Sequence, residues 1–329
     1  MAEKNIIYKI FNKNKKYFLC GLICFAVLFG SLFIQVLKIQ ASASAATSLT
    51  ITNSAPAASN VAVTTAVGGN LSLTSGTTKT VTVTLTVTDN NGCEDIDSGS
   101  PDTDVIFYRT NVTNGIACTP DAEDCYNMVC TQDALSCTAG GADLTATYTC
   151  TASVQFYADA TDAGSPNAAT TWTAGATPSD NAGAATANTD TTVEMVSLTS
   201  LSVTSTIAYD ALALGANTAS TDETTVVTNA GNRIIDTQVG GYGAGTGDGY
   251  SMACTIGNVD VAYEKYSLVA ETAYASKTAL PSDSSPDTLQ TDIAVGAAVT
   301  DDIYWGMGLP ATGVGGSCTG SVVFTAVNS

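Results

Sequence analysis

The chain has 329 residues, 45% hydrophobic and only 12% charged, a balance that excludes a disordered polyelectrolyte. Histidine is absent, which excludes Ser-His-Asp and Cys-His catalysis and every His-ligated metal site. The net charge is −19; six of the 11 basic residues lie in the first forty positions, so the remainder stands near −24, with five basic residues against 29 acidic ones, and a polyanion of that kind is repelled by nucleic acid.

The N-terminus begins with lysine-rich text (Lys4, Lys9, Lys13, Lys15, Lys16). An uncharged apolar run follows from Tyr17 to Leu37, then small residues from Ala41 to Ala46 with an A-x-A pattern. This is the layout of a secretory signal peptide, yet the run is also long enough to span a bilayer. Residues 1–43 are therefore expected to be a cleaved signal or an uncleaved anchor through residues 17–37, with the rest of the chain exported. Ser/Thr/Ala text over 44–60 reads as a linker or an irregular first strand.

Alternation then takes over. In Thr80–Thr88, Val81, Val83, Leu85 and Val87 face one way and threonines the other, which predicts a half-buried strand. Further strands are predicted at Asp104–Thr110, Leu144–Tyr157, Thr170–Ala174 and Thr191–Leu198, separated by turn signals such as Asn90-Asn91-Gly92 and Asn114-Gly115. This unit spans 61–198. Tyr148, Phe156 and Trp172 could line a sugar-binding face, but strand alternation places them in a sandwich core.

Ten cysteines are present, Cys20 and Cys24 inside the apolar run. The other eight follow an export signal in even number, which points to disulfides formed in an oxidising compartment. Six of them (Cys93, Cys118, Cys125, Cys130, Cys137, Cys150) crowd the first unit, where 114–142 reads as a polar, disulfide-stapled insertion between two strands. Six cysteines allow 15 pairings, and none is preferred.

A second unit spans 199–329. Its strands are expected at Leu201–Ser205, Thr224–Thr228, Arg233–Val239, Ser251–Thr255, Lys265–Val269, Asp302–Leu309 and Ser321–Val327. Glycine-rich text over 240–249 reads as a flexible hairpin loop, since it lacks the lysine of a phosphate cradle. Cys254 and Cys318 are the only cysteines here, and their pairing would tie the last strand to the middle of the sheet. Short strands at regular spacing, with no amphipathic helix after the leader, predict an all-β protein of two Ig-like Greek-key β-sandwiches.

Two segments of the second unit carry a resemblance. Thr224–Asn232 (TTVVTNAGN) resembles the strand-turn of bacterial Ig-like, cell-adhesion-related domains, and Ile303–Val327 resembles their last hairpin. With the stapled first unit, the chain is similar to secreted surface proteins of ultrasmall bacteria. The resemblance implies the Ig-like fold and a surface role, and brings no catalytic residue with it.

Little chemistry remains. Leu309-Pro310-Ala311-Thr312-Gly313 matches a sortase signal, but no apolar span or basic residue follows, so a turn after a strand is expected. An isopeptide bond would use Lys79 or Lys265, with no visible partner. Tyr304 and Trp305 are adjacent and point to opposite faces of a strand, which makes them the candidate contact site. Acidic loop residues Asp89, Asp95, Asp97, Asp159 and Asp162 are the candidate calcium ligands, because Ca²⁺ takes six to eight oxygens. No spacing singles out a catalytic carboxylate pair. The chain is thus expected to be a non-catalytic secreted or bacterial cell-surface protein with a structural or adhesive role. The alternative is a calcium-dependent module binding carbohydrate or a host surface. Expected partners are copies of itself, other surface proteins or extracellular glycans, with membrane contact only through the leader.

Overall fold

The structure, a computed structural model, describes residues 45–96, 103–138, 143–180, 183–185, 187–189, 192–204 and 206–329. The expected leader and its apolar run over 17–37 lie outside the described residues, as do Asp97 and Asp102. Among the described residues, no helix is long and apolar enough to cross a membrane. Residues 53–329 form one compact unit.

The described chain is all-β, with four short 3-10 turns. Its first strands are β1 (Ala57–Val63), β2 (Asn70–Leu71), β3 (Lys79–Thr88), β4 (Thr103–Arg109), β5 (Cys125–Asn127), β6 (Val129–Gln132), β7 (Thr145–Val154), β8 (Trp172–Asp180), β9 (Gly183–Ala184), β10 (Asn188–Thr189) and β11 (Glu194–Met195). The later strands are β12 (Leu201–Val203), β13 (Glu223–Asn229), β14 (Ile235–Tyr242), β15 (Tyr250–Ile256), β16 (Asn258–Asp260), β17 (Glu264–Ser267), β18 (Thr278–Ala279), β19 (Asp287–Ile293), β20 (Thr300–Met307), β21 (Gly315–Thr319) and β22 (Ser321–Asn328).

Two sheets enclose the first core. One has the order β1-β3-β7-β6, the other β10-β8-β4-β5. The valines of β3 explain the first sheet: Val81, Val83 and Val87 are completely buried while the intervening threonines are half-buried. They meet Val105 and Phe107 of β4 and Trp172, Ala174 and Ala176 of β8 from the opposite sheet. The Trp172 ring stacks on Phe107 at 4.9 Å, and its indole N–H donates to the Asp159 carbonyl at 2.9 Å. Each such side chain contributes roughly 1.5–3 kcal/mol of transfer free energy.

The cysteine-dense stretch is not only an insertion. β5 pairs with β4 in one sheet and β6 with β7 in the other, so the chain crosses between sheets at Met128. Strands of three and four residues are too short to show a period, which is why 114–142 reads as irregular text. The bridges are Cys93–Cys137, Cys118–Cys125 and Cys130–Cys150. The strand expected over Thr191–Leu198 shrinks to β11, which runs parallel to β2.

The second core lies between the sheet β12-β13-β20-β17-β18 and the sheet β19-β14-β22, with β16-β15-β21 as a three-stranded extension. Val227, Ile235, Val239, Leu280, Ile303 and Trp305 fill it. Cys254 and Cys318 face each other across β15 and β21 and are bridged. Strands β19 and β21 are absent from the sequence expectation because threonine, serine, aspartate and glycine dominate them, and β16 and β18 because three and two residues are too short to show a period. The Leu309–Gly313 stretch is a loop between β20 and β21, with the Leu309 N–H donating to the Ala216 carbonyl.

The glycine-rich stretch divides differently from the expectation. Gly240 and Gly241 belong to β14, where a Cβ on Gly240 would come within 2.7 Å of the Asp283 backbone. The loop proper is held by Asp248, whose carboxylate accepts from the N–H groups of Tyr250, Gly243, Ala244 and Gly245. Those donors, Tyr250 first, lower its pKa to about 2.

Asn229 and Asn232 organise the joint between the two cores. Asn229 is fully buried at the end of β13; its Nδ2 donates to the carbonyls of Arg233, Ile293 and Ala294, and its Oδ1 accepts from the Gly231 N–H. Asn232 reaches back to the first sandwich: its Nδ2 donates to Ala158 and Val196, and its Oδ1 accepts from the Leu198 N–H. A Cβ on Gly231 would sit 2.0 Å from the Leu198 carbonyl oxygen. Gly231→Ala is therefore expected to cost about 2 kcal/mol through forced backbone shifts. Gly245→Ala, which meets open space, should stay within about 0.5 kcal/mol. Urea unfolding of the two variants side by side checks this.

Candidate functional site

The loop that follows β3 and the end of β8 meet at one end of the first sandwich. Asp89 directly follows β3, Asp95 lies in the 3-10 turn Cys93–Asp95, and Asp180 closes β8. The first and third thus come from opposite sheets. Several local contacts position them. The Asp89 N–H donates to the Leu144 carbonyl, and the Asp95 N–H to Gly92. The turn carrying Asp95 is anchored by the Cys93–Cys137 bridge. Ile96, next along the chain, forms a β-bridge with Asp180.

One carboxylate oxygen from each of Asp89, Asp95 and Asp180 lies within 4.8 Å of the others. Asp89 is 1% exposed. Its Oδ1 accepts from the Asn91 N–H at 2.7 Å, while its Oδ2 is buried with no hydrogen-bond donor. The Asp180 carboxyl faces Asp89, and the two can hydrogen-bond to each other only when one of them carries a proton, that one being the donor. Burial raises the Asp89 pKa first, the Asn91 N–H works against this, and the charges of Asp180 and Asp95 raise it further. Asp180 itself accepts from Gly183 N–H (Oδ1, 3.0 Å) and Asn53 Nδ2 (Oδ2, 3.3 Å).

The five candidate calcium ligands therefore separate. Asp89 and Asp95 come together, and Asp97 lies outside the described residues. Asp159 instead accepts from Arg109 Nε at 2.8 Å, with Asp124 on the other side of the same guanidinium at 3.2 Å. Burial raises the Asp159 pKa and Arg109 pulls it back. Asp162 accepts from the backbone N–H and hydroxyl of Ser197, tying two loops of the first sandwich. Asp180 was not among the candidates. It lies far along the chain, at the end of a strand whose predicted span stopped at Ala174, and no local spacing signals it.

The candidate contact pair also separates. Trp305 is completely buried in the second core, tilted against Tyr266 and edge-on to Phe324, so it is not a surface contact residue. The alternation of β20 turns Tyr304 to the other face, where it is half-buried with its hydroxyl 3.4 Å from Asp302. Tyr148 is buried in the first core with Trp172, and Phe156 is half-buried against Tyr157. Lys265 lies over the Tyr274 ring, 4.6 Å from its centre.

One buried acid stands apart. Glu264 of β17 is 2% exposed, on the wall of a cleft lined by Val203, Met252 and Phe324. Its Oε1 accepts from the Tyr209 hydroxyl at 2.9 Å. Burial raises its pKa from 4.5 to about 7, partly offset by that hydrogen bond. The folded state then holds a proton that the unfolded chain has lost between these values. The contribution to stability is complete below about pH 4.5 and is lost as pH rises through 7, a change of about 3 kcal/mol. Glu264→Gln mimics the protonated form. Its stability relative to wild type should rise by that amount between pH 4.5 and 8, measured by urea unfolding at both pH values.

No protein-family model matches the chain, and no curated protein matches its sequence. Among solved structures, the C-terminal domain of the AgI/II polypeptide BspA of Streptococcus agalactiae aligns with 83% of this chain and 96% of its own. The identity is 11% and the TM-score 0.20. The fold defines the class: over the described residues, an all-β protein with four disulfides.

Proposed function

We propose that this chain is an exported, non-catalytic component of a bacterial cell surface, with two Ig-like sandwiches serving a structural or adhesive role. The observation that carries this reading is the disulfide set: all eight cysteines from Cys93 onward are paired. Such pairing belongs to an oxidising compartment outside the cytosol. The apolar N-terminal run supplies a route there. Two further features support a mechanical rather than a chemical role. The joint between the sandwiches is closed by buried asparagine hydrogen bonds. Buried and half-buried polar groups beside that joint hold segments together: Asn229 binds the carbonyls of Arg233, Ile293 and Ala294, and Asp162 ties Ser197 to its own loop.

The test is the location and redox state of the chain in cells. A membrane-impermeant thiol and amine label applied to intact cells should modify lysines of the chain and no cysteine from Cys93 onward. Recovery of a reduced chain from the cytosol, protected from the label, would overturn the reading.

A further inference from the structure

We propose that Asp89, Asp95 and Asp180 bind one Ca²⁺ ion that clamps the two sheets of the first sandwich together. Two independent observations meet here. The first is geometric. Calcium–oxygen distances are 2.3–2.6 Å, so two oxygens on one ion lie no more than about 5 Å apart. The three carboxylates satisfy this, with one oxygen from each within 4.8 Å of the others. The second is the orphaned oxygen. Asp89 Oδ2 is buried without a donor, in a residue 1% exposed. Leaving a buried carboxylate oxygen unsatisfied is costly, and more so beside two further acids. A divalent cation satisfies all three at once.

The ion class follows from the ligands. All are oxygens, which suits hard cations and excludes sites built on thiolate or imidazole. Three carboxylates supply three to six oxygens, depending on how many bind through both atoms, and water completes a shell of six to eight. One loop supplies Asp89 and Asp95 and a strand end supplies Asp180, a set of ligands that suits the adaptable shell of Ca²⁺, whereas Mg²⁺ demands a near-ideal octahedron. The site would join the end of β3, the disulfide-anchored 3-10 turn and the end of β8. The ion would therefore bridge opposite sheets at a place where the Ile96–Asp180 β-bridge already brings the turn carrying Asp95 to the end of β8. This assignment is independent of the surface role proposed above, because it concerns metal occupancy alone.

The test uses the oxidised full chain, stripped with chelator and held in mild detergent for its apolar N-terminal run. Calorimetric titration with CaCl₂ should give one site with a Kd of about 10⁻⁴ to 10⁻³ M, the range of extracellular modules. At about 10 mM Ca²⁺ the first sandwich should melt about 5 °C higher than in chelator, and Mg²⁺ should give a clearly smaller shift. Asp95→Asn and Asp180→Asn should each weaken binding at least tenfold. Asp89→Asn should abolish the Ca²⁺ shift yet raise the melting temperature in chelator, because it removes one of three crowded charges and lets the amide donate to Asp180. A purely structural acid cluster would not produce that crossover. Absence of heat and of any melting shift in the wild-type chain would overturn the proposal. So would a Ca²⁺ shift of full size in the folded Asp95→Asn chain, or equal shifts with both cations.

Discussion

Lys277→Met is expected to destabilise the second sandwich by about 3–5 kcal/mol, the cost of stranding one partner of a buried ion pair. The Lys277 side chain is fully buried, and its ammonium lies 2.6 Å from Asp222 Oδ1. That contact is charge against charge rather than an aligned hydrogen bond, since Asp222 Oδ1 has no directional donor. The directional bonds lie beside it. Lys277 Nζ donates to the Tyr304 carbonyl at 3.2 Å, and Asp222 Oδ2 accepts from the Glu271 N–H at 2.6 Å. The stem crosses Gly306 of β20, where any Cβ would come within 3.1 Å of Lys277 Cδ. Methionine fills that channel, so the loss isolates the charge. Thermal unfolding should move down by about 10 °C. Adding Asp222→Asn to Lys277→Met should recover part of the loss, because the uncompensated charge is then gone. A Lys277→Met chain as stable as wild type would show that the pair is worth no more than the methionine replacing it.

The legible parts of this fold are those where one face of a strand is buried over several residues. Thr80–Thr88 and Leu144–Tyr157 alternate cleanly, and both are long strands of one sheet in the structure. The Asn229–Asn232 turn was legible as a turn, but its second role was not. That Asn232 closes the joint depends on Ala158 and Val196, which no local pattern connects to it. Short edge strands such as β5 and β6 owe their place to cross-strand pairing and disulfides, not to periodicity. The acidic site shows the same limit. Asp89 and Asp95 share a loop and could be grouped from sequence, whereas Asp180 reaches them only because β8 runs alongside β4 in the opposite sheet. Asp159 and Asp162 look equivalent to them as text. Three-dimensional neighbours decide otherwise, because Arg109 neutralises one and Ser197 occupies the other.

Removing the Cys254–Cys318 bridge, as Cys254→Ser with Cys318→Ser, is expected to cost about 4 kcal/mol in the chain-entropy account, because the bridge closes a long loop in the unfolded chain. The sequence separation is 64 residues, against 7, 20 and 44 for the other bridges, so this link removes the most unfolded-state freedom. It is also the most accessible. Both cysteines are half-buried on β15 and β21, whereas Cys93, Cys125 and Cys150 are each at most 1% exposed. A mild reductant should therefore open Cys254–Cys318 first, with the other three following only on unfolding. Mass spectrometry after stepwise alkylation reads the order directly. Urea unfolding of the double serine variant should show the lower midpoint in the second core, reported by Trp305, while Trp172 in the first core keeps its own transition. Earlier opening of Cys93–Cys137 would instead mean that the loop carrying Asp95 is the weaker region, and calcium should then slow that reduction.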